Sequence, residues 1–336
     1  MRVGDLATPA LVVDGNALAH NLDTMSRALP GLRLRPHVKA HKCTGLAREQ
    51  AARGHTAFTC ATPREVIGMA RAGLGNDLLL ANQTLDASRL RAMADCGASV
   101  TVAVDSDATV DAAAANGIGA VLVDVNVGMP RCGCAPGDAE GIAARARDAG
   151  LVVRGVMGYE GHVVGLEERT ERVEQTDAAM HKLRAAHAGV GGDVISAGGT
   201  GTYDINTAAT EIQAGSYALM DLAYSKLGLP FVPALTIAAT VIHAGPQWAV
   251  ADCGLKAHSM DHGNPAVEDG TVWFCSDEHV TFAPDTTVRV GDRVRVWPAH
   301  VDPTVALHER VHIADGPGLD AQVVDQWPVD LRGWDA

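Results

Sequence analysis

The strongest constraint on the fold of this chain is a repeated order of sequence types between residues 32 and 221. A short apolar run rich in β-branched residues is followed by a polar or glycine-containing loop, and then by an alanine-rich stretch with helical spacing. Eight such runs predict strands, at 32–38, 56–60, 77–80, 99–104, 120–125, 152–157, 193–196 and 212–219. The segments between them predict helices, at 44–53, 63–72, 85–96, 108–115, 138–149 and 167–188. Eight strands that alternate with helices favour a closed (β/α)8 barrel of the TIM type over an open parallel sheet.

The pattern changes after residue 229. Short alternating runs between Gly, Asp and Pro turns predict antiparallel strands, at 234–243, 248–251, 272–275, 279–282 and 293–297. A strand-like piece at 9–13, followed by a predicted helix at 14–28, could join either part. We therefore predict an α/β chain of two domains: a barrel at 14–228, and a smaller, mainly antiparallel β domain made of 1–13 and 229–336.

Composition narrows the class of protein. Of 336 residues, 47% are hydrophobic and 20% charged, which excludes a disordered or fibrous chain. The net charge of −13 and the lack of a Lys/Arg run argue against a nucleic-acid partner. No signal segment or membrane-length apolar stretch is evident, so we expect a cytoplasmic protein without a membrane partner. The seven cysteines predict reduced thiols, and Cys132 and Cys134 are the one close pair at which a structural metal stays open.

A glycine-rich loop follows the seventh predicted strand. Residues 198–202 read Gly-Gly-Thr-Gly-Thr, which allows close backbone approach and offers hydroxyl and amide donors to an anion. Barrels commonly bind phosphate after strands seven and eight, where Gly215 and Ser216 also lie. A phosphate site is favoured over a flexible glycine turn.

Lys39 ends the first predicted strand, at the mouth of the barrel. Burial there would lower the pKa of its amine and make it a nucleophile towards a carbonyl, although a lone lysine is more often a surface cation. A strand-end lysine combined with a phosphate site indicates pyridoxal phosphate, which needs a partner for its aldehyde and another for its phosphate.

Six segments carry a family resemblance: 8–14 (TPALVVD), 35–42 (RPHVKAHK), 80–83 (LANQ), 158–162 (GYEGH), 196–200 (SAGGT) and 215–217 (GSY). Together they resemble the D-threonine aldolase and D-serine dehydratase family, fold-type III pyridoxal phosphate enzymes related to alanine racemase. The resemblance covers nearly the whole chain and implies a homodimer whose active sites are completed by the partner's β domain.

The resemblance also implies roles for individual residues. Lys39 would bond the cofactor aldehyde, Gln83 and Arg131 would approach its phenolic oxygen, and Tyr159 would lie near its ring. The phosphate would be surrounded by Gly199, Thr200, Gly201, Ser216 and Tyr217.

His300 and Asp302 end a strand pattern, and residues i and i+2 of a strand point the same way, so the two side chains could share one metal ion. A surface histidine beside an aspartate is the alternative, but the resemblance favours the metal. The dehydratase branch typically has cysteine at the second position, so Asp302 favours the aldolase branch. As a hard oxygen ligand it favours manganese, with magnesium, cobalt or zinc also open.

We expect a lyase that cleaves β-hydroxy-D-amino acids, such as D-threonine to glycine and acetaldehyde, with Lys39, Tyr159 and His162 as catalytic residues. The base for the substrate hydroxyl could be His162, a metal-bound hydroxide or a histidine of segment 258–262. Segment 252–262 itself could be a substrate loop or a surface hairpin. The alternatives are a D-serine or 3-hydroxy-D-aspartate dehydratase, a 3-hydroxy-D-aspartate aldolase, a racemase, and a non-catalytic pyridoxal phosphate carrier.

Overall fold

The computed structural model describes residues 1–334, and these divide into two compact units. The barrel unit comprises Met25–Lys39 and Leu46–Gly215, and the β unit comprises Met1–Thr24, Ala40–Gly45 and Ser216–Arg332. The sequence-derived boundaries at residues 14 and 228 stay a prediction. The last two residues assigned to the β domain lie outside the described residues.

The described elements are numbered along the chain. The strands are β1 (Ala10–Asp14), β2 (Ala57–Cys60), β3 (Asp77–Leu80), β4 (Val100–Val104), β5 (Ala120–Asp124), β6 (Val152–Gly158), β7 (Val194–Ala197), β8 (Glu211–Ile212), β9 (Leu235–Ala244), β10 (Ala249–Ala251), β11 (Ala266–Val267), β12 (Gly270–Cys275), β13 (Val280–Pro284), β14 (Arg293–Trp297), β15 (Arg310–Ala314) and β16 (Val323–Pro328). The α-helices are α1 (Gly15–Ala28), α2 (Thr44–Ala52), α3 (Pro63–Arg71), α4 (Ala87–Ala94), α5 (Asp107–Ala115), α6 (Ala139–Asp148), α7 (Arg169–Val190), α8 (Leu222–Ser225) and α9 (Val301–Ala306).

Two helices of the barrel unit show how a side-chain cap sets the first residue. The hydroxyl of Thr62 accepts a hydrogen bond from the backbone N–H of Glu65 and Pro63 occupies the first turn, so α3 starts at its predicted residue. The carboxylate of Asp86 accepts hydrogen bonds from the N–H groups two and three residues further on. For this reason α4 starts at residue 87 and not at the predicted residue 85.

The parallel strands form a closed barrel, as predicted. Strands β2 to β8 pair in chain order and all pairs are parallel. The ring is closed by segment 34–37, which forms one parallel bridge from Leu34 to Ile212 of β8 and another from His37 to Thr59 of β2. The chain therefore has the (β/α)8 architecture.

Two of the predicted strands are wrong in detail. The first, at 32–38, is reduced to isolated bridges, because Pro36 has no N–H to donate to β2 and only its carbonyl accepts, from Thr59. The eighth, at 212–219, ends at Ile212, and Ser216–Ala218 form a 3₁₀ turn. The residues of this turn are fully buried, so an apolar run could not distinguish it from a strand.

A buried ionic network lies at the amino ends of the strands. Arg35, only 2% exposed, donates hydrogen bonds of 2.8 Å to Asp77 at the start of β3 and to Glu211 at the start of β8. Arg154 donates to the same Asp77 at 2.8 Å. Burial raises the pKa of Asp77, but hydrogen bonds from Arg154 and Arg35 lower it more, to about 2. This end of the barrel is filled by a structural network, so the carboxyl ends are left for chemistry.

The β unit contains a small antiparallel barrel. Strands β9, β10, β13, β12, β11 and β14 pair in that cyclic order, and β10 closes the ring by pairing with both β9 and β13. Strand β1 pairs antiparallel with β9 and parallel with β15, so the strand-like piece at 9–13 belongs to this sheet. The sequence did not predict four elements of this unit: strands β11, β15 and β16 and helix α9. Among residues 1–334, no helix combines the length and apolar character needed to cross a bilayer.

Candidate active site

Lys39 lies immediately after segment 34–37, in a 3₁₀ turn spanning Val38–Ala40, and it is half-buried. Its backbone N–H approaches Nδ1 of His37 at 3.5 Å. The prediction placed it at the end of a regular strand, whereas the structure places it in the turn that follows a strand-like segment. It is nevertheless at the carboxyl end of this first barrel segment, where barrel enzymes hold their reactive groups.

The glycine-rich loop follows β7 and is held by one buried carboxylate. Glu160, fully buried, accepts hydrogen bonds from the N–H of Gly198 (3.1 Å), the hydroxyl of Thr202 (2.9 Å) and the amide of Asn206 (3.0 Å). The N–H of Gly199 donates to the hydroxyl of Thr202 at 3.2 Å. The backbone N–H groups of Gly198 and Gly199, which were predicted as donors to an anion, therefore donate to acceptors within the protein. Glu160 and Asn206 were not assigned roles from the sequence.

Close packing of the same loop requires glycine at one position. A Cβ built on Gly201 would lie 1.8 Å from the carbonyl oxygen of Val164, so only glycine fits there. A Cβ on Gly199 would be in ordinary contact with Val164 (3.4 Å) and Tyr159 (3.5 Å). Thr200 and Thr202, both buried, complete a rigid loop whose composition suits a phosphate.

Gln83 contacts a carboxylate that the sequence prediction did not assign to the site. Its amide nitrogen donates to Oδ2 of Asp124 at 2.7 Å. Asp124 is the last residue of β5, and burial raises its pKa to about 6 despite the opposing hydrogen bond from Gln83. A buried carboxylic acid at a strand end is a common functional feature of barrels, and this position was the signal that could have identified it.

Arg131 and Tyr159 are neighbours in the structure. The guanidinium carbon of Arg131 lies 5.3 Å from the centre of the Tyr159 ring. Both residues line one cleft together with Asp124 and Asn126. Pairwise contacts thus connect Gln83 to Asp124 and Arg131 to Tyr159, and the Tyr159 ring lies beside Gly199 of the glycine-rich loop, all within the barrel unit.

His162 is exposed and its ring lies against the backbone of Gly128. A Cβ at residue 128 would lie 2.6 Å from Cε1 of His162, so the glycine makes room for the imidazole. These contacts place His162 beside the loop that follows β5 and not in the Gln83–Asp124 pair.

In the β unit, the predicted metal residues lie at the start of a helix. His300 is the N-cap residue of α9 and Asp302 is in its first turn, so the predicted strand geometry is wrong. Pro303, which is tolerated in a first helical turn, was the sequence signal for this start. The two side chains still face each other, with 3.7 Å between Nε2 of His300 and Oδ2 of Asp302. An imidazole nitrogen and a carboxylate oxygen form a donor set that suits a divalent ion.

Two further residues adjoin His300. Its Nδ1 is 2.6 Å from Oδ2 of Asp261, and its ring stacks on that of His262 at 4.0 Å with an interplanar angle of 3°. Ligand atoms of Asp261, His262 and His300 all lie within 4.8 Å of one another. Burial raises the pKa of Asp261, but hydrogen bonds from Ser259 and His300 lower it more, so the net pKa lies below the ordinary value of an aspartate.

The remaining predicted cofactor residues occupy the 3₁₀ turn after β8. The hydroxyl of Ser216 is 3.4 Å from Oδ2 of Asp302, so a predicted phosphate ligand and a predicted metal ligand are neighbours in the β unit. Tyr217 is fully buried and packs on Phe231, with ring centres 5.6 Å apart. Tyr217 therefore supports the turn from within the β unit.

Segment 252–262 has two parts with different roles. Asp252 accepts hydrogen bonds from Thr8 (2.6 Å) and Thr240 (2.7 Å), which makes the start of the segment structural. Its end carries the exposed Asp261 and His262, next to His300. The end of the segment thus belongs with His300, and its assignment as a substrate loop stays a prediction.

The seven cysteines are free thiols, as expected. Cys132 is exposed and Cys134 is buried. Within the described part of the chain, the group that could offer three metal ligands is the Asp261, His262 and His300 cluster, and it includes neither cysteine.

Comparisons with known proteins give consistent matches. The family profile of the alanine racemase N-terminal domain matches residues 13–222, and that of a putative serine dehydratase domain matches residues 234–314. The chain is 31% identical to 3-hydroxy-D-aspartate aldolase of Paracoccus denitrificans (strain Pd 1222), over 99% of this chain and 94% of the relative. It is 33% identical to D-threonine aldolase of Arthrobacter sp., over 97% of this chain and 93% of the relative. The crystal structure of D-threonine aldolase from Filomicrobium marinum matches with a TM-score of 0.91 and 30% identity, over 98% of this chain and 96% of that one.

Proposed function

From the premise that this chain belongs to the alanine racemase N-terminal domain family, we propose that it is a pyridoxal phosphate-dependent carbon–carbon lyase that cleaves β-hydroxy-D-amino acids. The resemblance inferred from six short sequence segments is confirmed by these matches, as is the barrel followed by a β domain. D-Threonine, cleaved to glycine and acetaldehyde, is the model substrate of the proposal. Relatives named as aldolases support a carbon–carbon lyase over a racemase.

The observation that carries the proposal is the His300–Asp302 pair at 3.7 Å, in a chain that also has Lys39 after the first barrel segment. A racemase or a carrier of the cofactor needs the lysine but has no use for two converging metal ligands. An enzyme that must bind a substrate hydroxyl does need them, since a divalent ion makes a bound hydroxyl more acidic and fixes its position. Asp302 supplies a hard oxygen ligand, which favours manganese over zinc.

The residues that the resemblance assigns to the cofactor fit pyridoxal phosphate; of these, Ser216 and Tyr217 belong to the β unit and the others to the barrel unit. The amine of Lys39 would bond its aldehyde, and the loop of Gly199, Thr200 and Gly201, with Ser216 and Tyr217, would hold its phosphate. Gln83 and Arg131 would face its phenolic oxygen, and Tyr159 its ring. When bound, the cofactor provides the electron sink for the pair of electrons released by breaking the Cα–Cβ bond.

The chain's own side chains would then orient the substrate and move a proton. Asp124 holds the amide of Gln83 at 2.7 Å and so fixes its direction. His162, whose ring is positioned against Gly128, is our choice for the base that takes the proton from the β-hydroxyl.

We also propose a homodimer, as the resemblance implies. Sedimentation equilibrium of the holoenzyme measures the subunit number directly, and a monomer with full activity would contradict it.

The test of the function is product analysis with cofactor and Mn²⁺ present. D-Threonine should yield glycine and acetaldehyde, and D-3-hydroxyaspartate should yield glycine and glyoxylate if its distal carboxylate is accepted. L-Threonine and the Lys39→Ala variant are the controls and should yield neither. Conversion of D-threonine to L-allo-threonine without cleavage would contradict the proposal in favour of a racemase, and no turnover of any β-hydroxy-D-amino acid would favour a carrier.

One observation supports a second candidate, a dehydratase. Residues 234–314 match the profile of a putative serine dehydratase domain. The same assay separates the two activities, because a dehydratase releases ammonia with 2-oxobutyrate from D-threonine, or with oxaloacetate from D-3-hydroxyaspartate.

A further inference from the structure

We propose that Asp261 is a positioning residue that orients His300 as a metal ligand. The inference rests on the proposed function, because it assumes that His300 and Asp302 hold a divalent ion. Asp261 is 39 positions from His300 in the sequence, and the two meet only through the fold of the β unit.

The two nitrogens of His300 face two different carboxylates. Nδ1 is 2.6 Å from Asp261, and Nε2 is 3.7 Å from Asp302. At 2.6 Å these two atoms are hydrogen-bonded, and with the carboxylate of Asp261 as the acceptor the imidazole of His300 donates from Nδ1. The lone pair is then on Nε2, on the side of Asp302, where the metal ion is proposed. A carboxylate that fixes the tautomer and ring direction of a metal-binding histidine also makes it a better ligand.

The surroundings hold both residues in this arrangement. The hydroxyl of Ser259 donates to Asp261, and the N–H of Ser259 donates to Thr304 at 3.1 Å. The hydroxyl of Thr304 in turn donates to the carbonyl of His300 at 2.7 Å. The parallel ring of His262 at 4.0 Å restricts rotation of the His300 imidazole. Segment 259–262 is therefore tied to the start of α9, and the direction of His300 is set from both sides.

A direct metal bond from Asp261 fits the geometry less well. A ligand nitrogen and oxygen that share an ion each lie about 2 Å from it. The 2.6 Å hydrogen bond between Nδ1 and Asp261 would have to open before an ion could enter between them. The open side of His300 is Nε2, where 3.7 Å separate it from Asp302.

The experiment is a titration of metal-stripped holoenzyme with Mn²⁺, with free Mn²⁺ followed by electron paramagnetic resonance. The variants are Asp261→Ala and Asp261→Asn, with Asp285→Asn as a matched control on an exposed aspartate and His300→Ala as the reference for a lost ligand. We expect Asp261→Ala to weaken Mn²⁺ binding by about 10–100-fold. Asp261→Asn should lose less, because its amide oxygen still accepts from Nδ1. The control should bind as the wild type does, and circular dichroism reports whether each variant is folded.

The outcomes separate the inference from the proposed function. If the wild type does not bind Mn²⁺, the metal part of the proposed function fails, and the positioning role fails with it. If the wild type binds Mn²⁺ and both Asp261 variants bind equally well, only the inference is overturned. Equal losses in Asp261→Asn and Asp261→Ala, as large as that of His300→Ala, would make Asp261 a direct ligand and also overturn it.

Discussion

The hydroxyl of Thr202 donates a 2.9 Å hydrogen bond to the carboxylate of Glu160, and this bond joins the end of the glycine-rich loop to the segment that follows β6. Glu160 accepts from Gly198 and Asn206 as well, so one buried carboxylate satisfies three donors. A buried acceptor that serves several donors is costly to replace, because each donor left unpaired pays its desolvation penalty. The conformation of the proposed phosphate loop therefore depends on Glu160.

Replacing Glu160 by glutamine should weaken cofactor binding through the conformation of the loop. Glu160 need not contact the cofactor itself. Glutamine has the same shape but brings an amide NH₂ against the N–H of Gly198, where two donors then face each other. We expect the free energy of unfolding to fall by about 1–3 kcal/mol, and the dissociation constant for pyridoxal phosphate to rise. Urea unfolding and a fluorescence titration measure the two quantities. Glu174→Gln, on the exposed face of α7, is the matched control, and unchanged cofactor affinity in Glu160→Gln would rule out the supporting role.

Two glycines of the same glycine-rich loop, Gly199 and Gly201, provide a pair of variants for comparison. Gly201→Ala places a methyl group 1.8 Å from the carbonyl oxygen of Val164, so the backbone must move. Gly199→Ala makes only ordinary contacts, at 3.4–3.5 Å. Overpacking of this kind costs about 1–3 kcal/mol, so cofactor affinity should fall by roughly tenfold in Gly201→Ala and by less in Gly199→Ala, whose methyl group displaces no protein atom. Equal affinities in the two variants would contradict the packing argument.

Sequence patterns predicted those parts of the barrel that depend on local signals. The start of α3 follows from Thr62 and Pro63, and strands β2 to β7 follow from short apolar runs that are buried on both faces. The first and eighth segments were predicted less well, since their structure depends on pairing across the ring. Leu34 meets Ile212 only when the barrel closes, and no pattern within either run encodes that contact.

The site residues likewise divide into those marked by local sequence signals and those defined by contacts between distant parts of the chain. Lys39 and the glycine-rich loop stand out by residue type and position, so the sequence identifies them. Asp124 ends β5 and Glu160 follows β6, so both could have been identified from their positions, but their burial and partners are set by residues distant in the chain. The bond between Asp261 and His300 joins two loops of the β unit and has no local signature.

Replacing Asp302 by cysteine should change the metal preference. A thiolate is a soft ligand that favours zinc, whereas a carboxylate is a hard ligand that suits manganese. We expect the ratio of Zn²⁺ affinity to Mn²⁺ affinity to rise in Asp302→Cys, as measured by competition titration. Asp302→Asn keeps an oxygen ligand without the charge, and should weaken both metals with a smaller change in the ratio. An unchanged ratio in Asp302→Cys would argue that Asp302 does not contact the ion.

The last prediction concerns the pH dependence of stability, through Asp124. Burial raises the pKa of this carboxyl to about 6 in the folded protein, above the ordinary aspartate value of about 3.9. The folded state therefore binds a proton more tightly than the unfolded state does. Protonated Asp124 is tolerated in its buried position below about pH 4. As the pH rises towards the folded pKa of about 6, the group ionises in a buried site and the folded state loses stability.

The size of this effect follows from the shift. A change of about two pKa units corresponds to about 3 kcal/mol, lost between pH 4 and pH 6 and constant above. Asp124→Asn has no titrating group but keeps an oxygen that can accept from Gln83. The test is urea unfolding of the cofactor-free wild type and Asp124→Asn at several pH values. The free energy of unfolding of the wild type, minus that of Asp124→Asn, should decrease as the pH rises from 4 to 6. A difference that stays constant from pH 4 to pH 7, or that rises with pH, would show that Asp124 is already ionised in the folded protein at low pH, and its environment would then have to be polar and not buried.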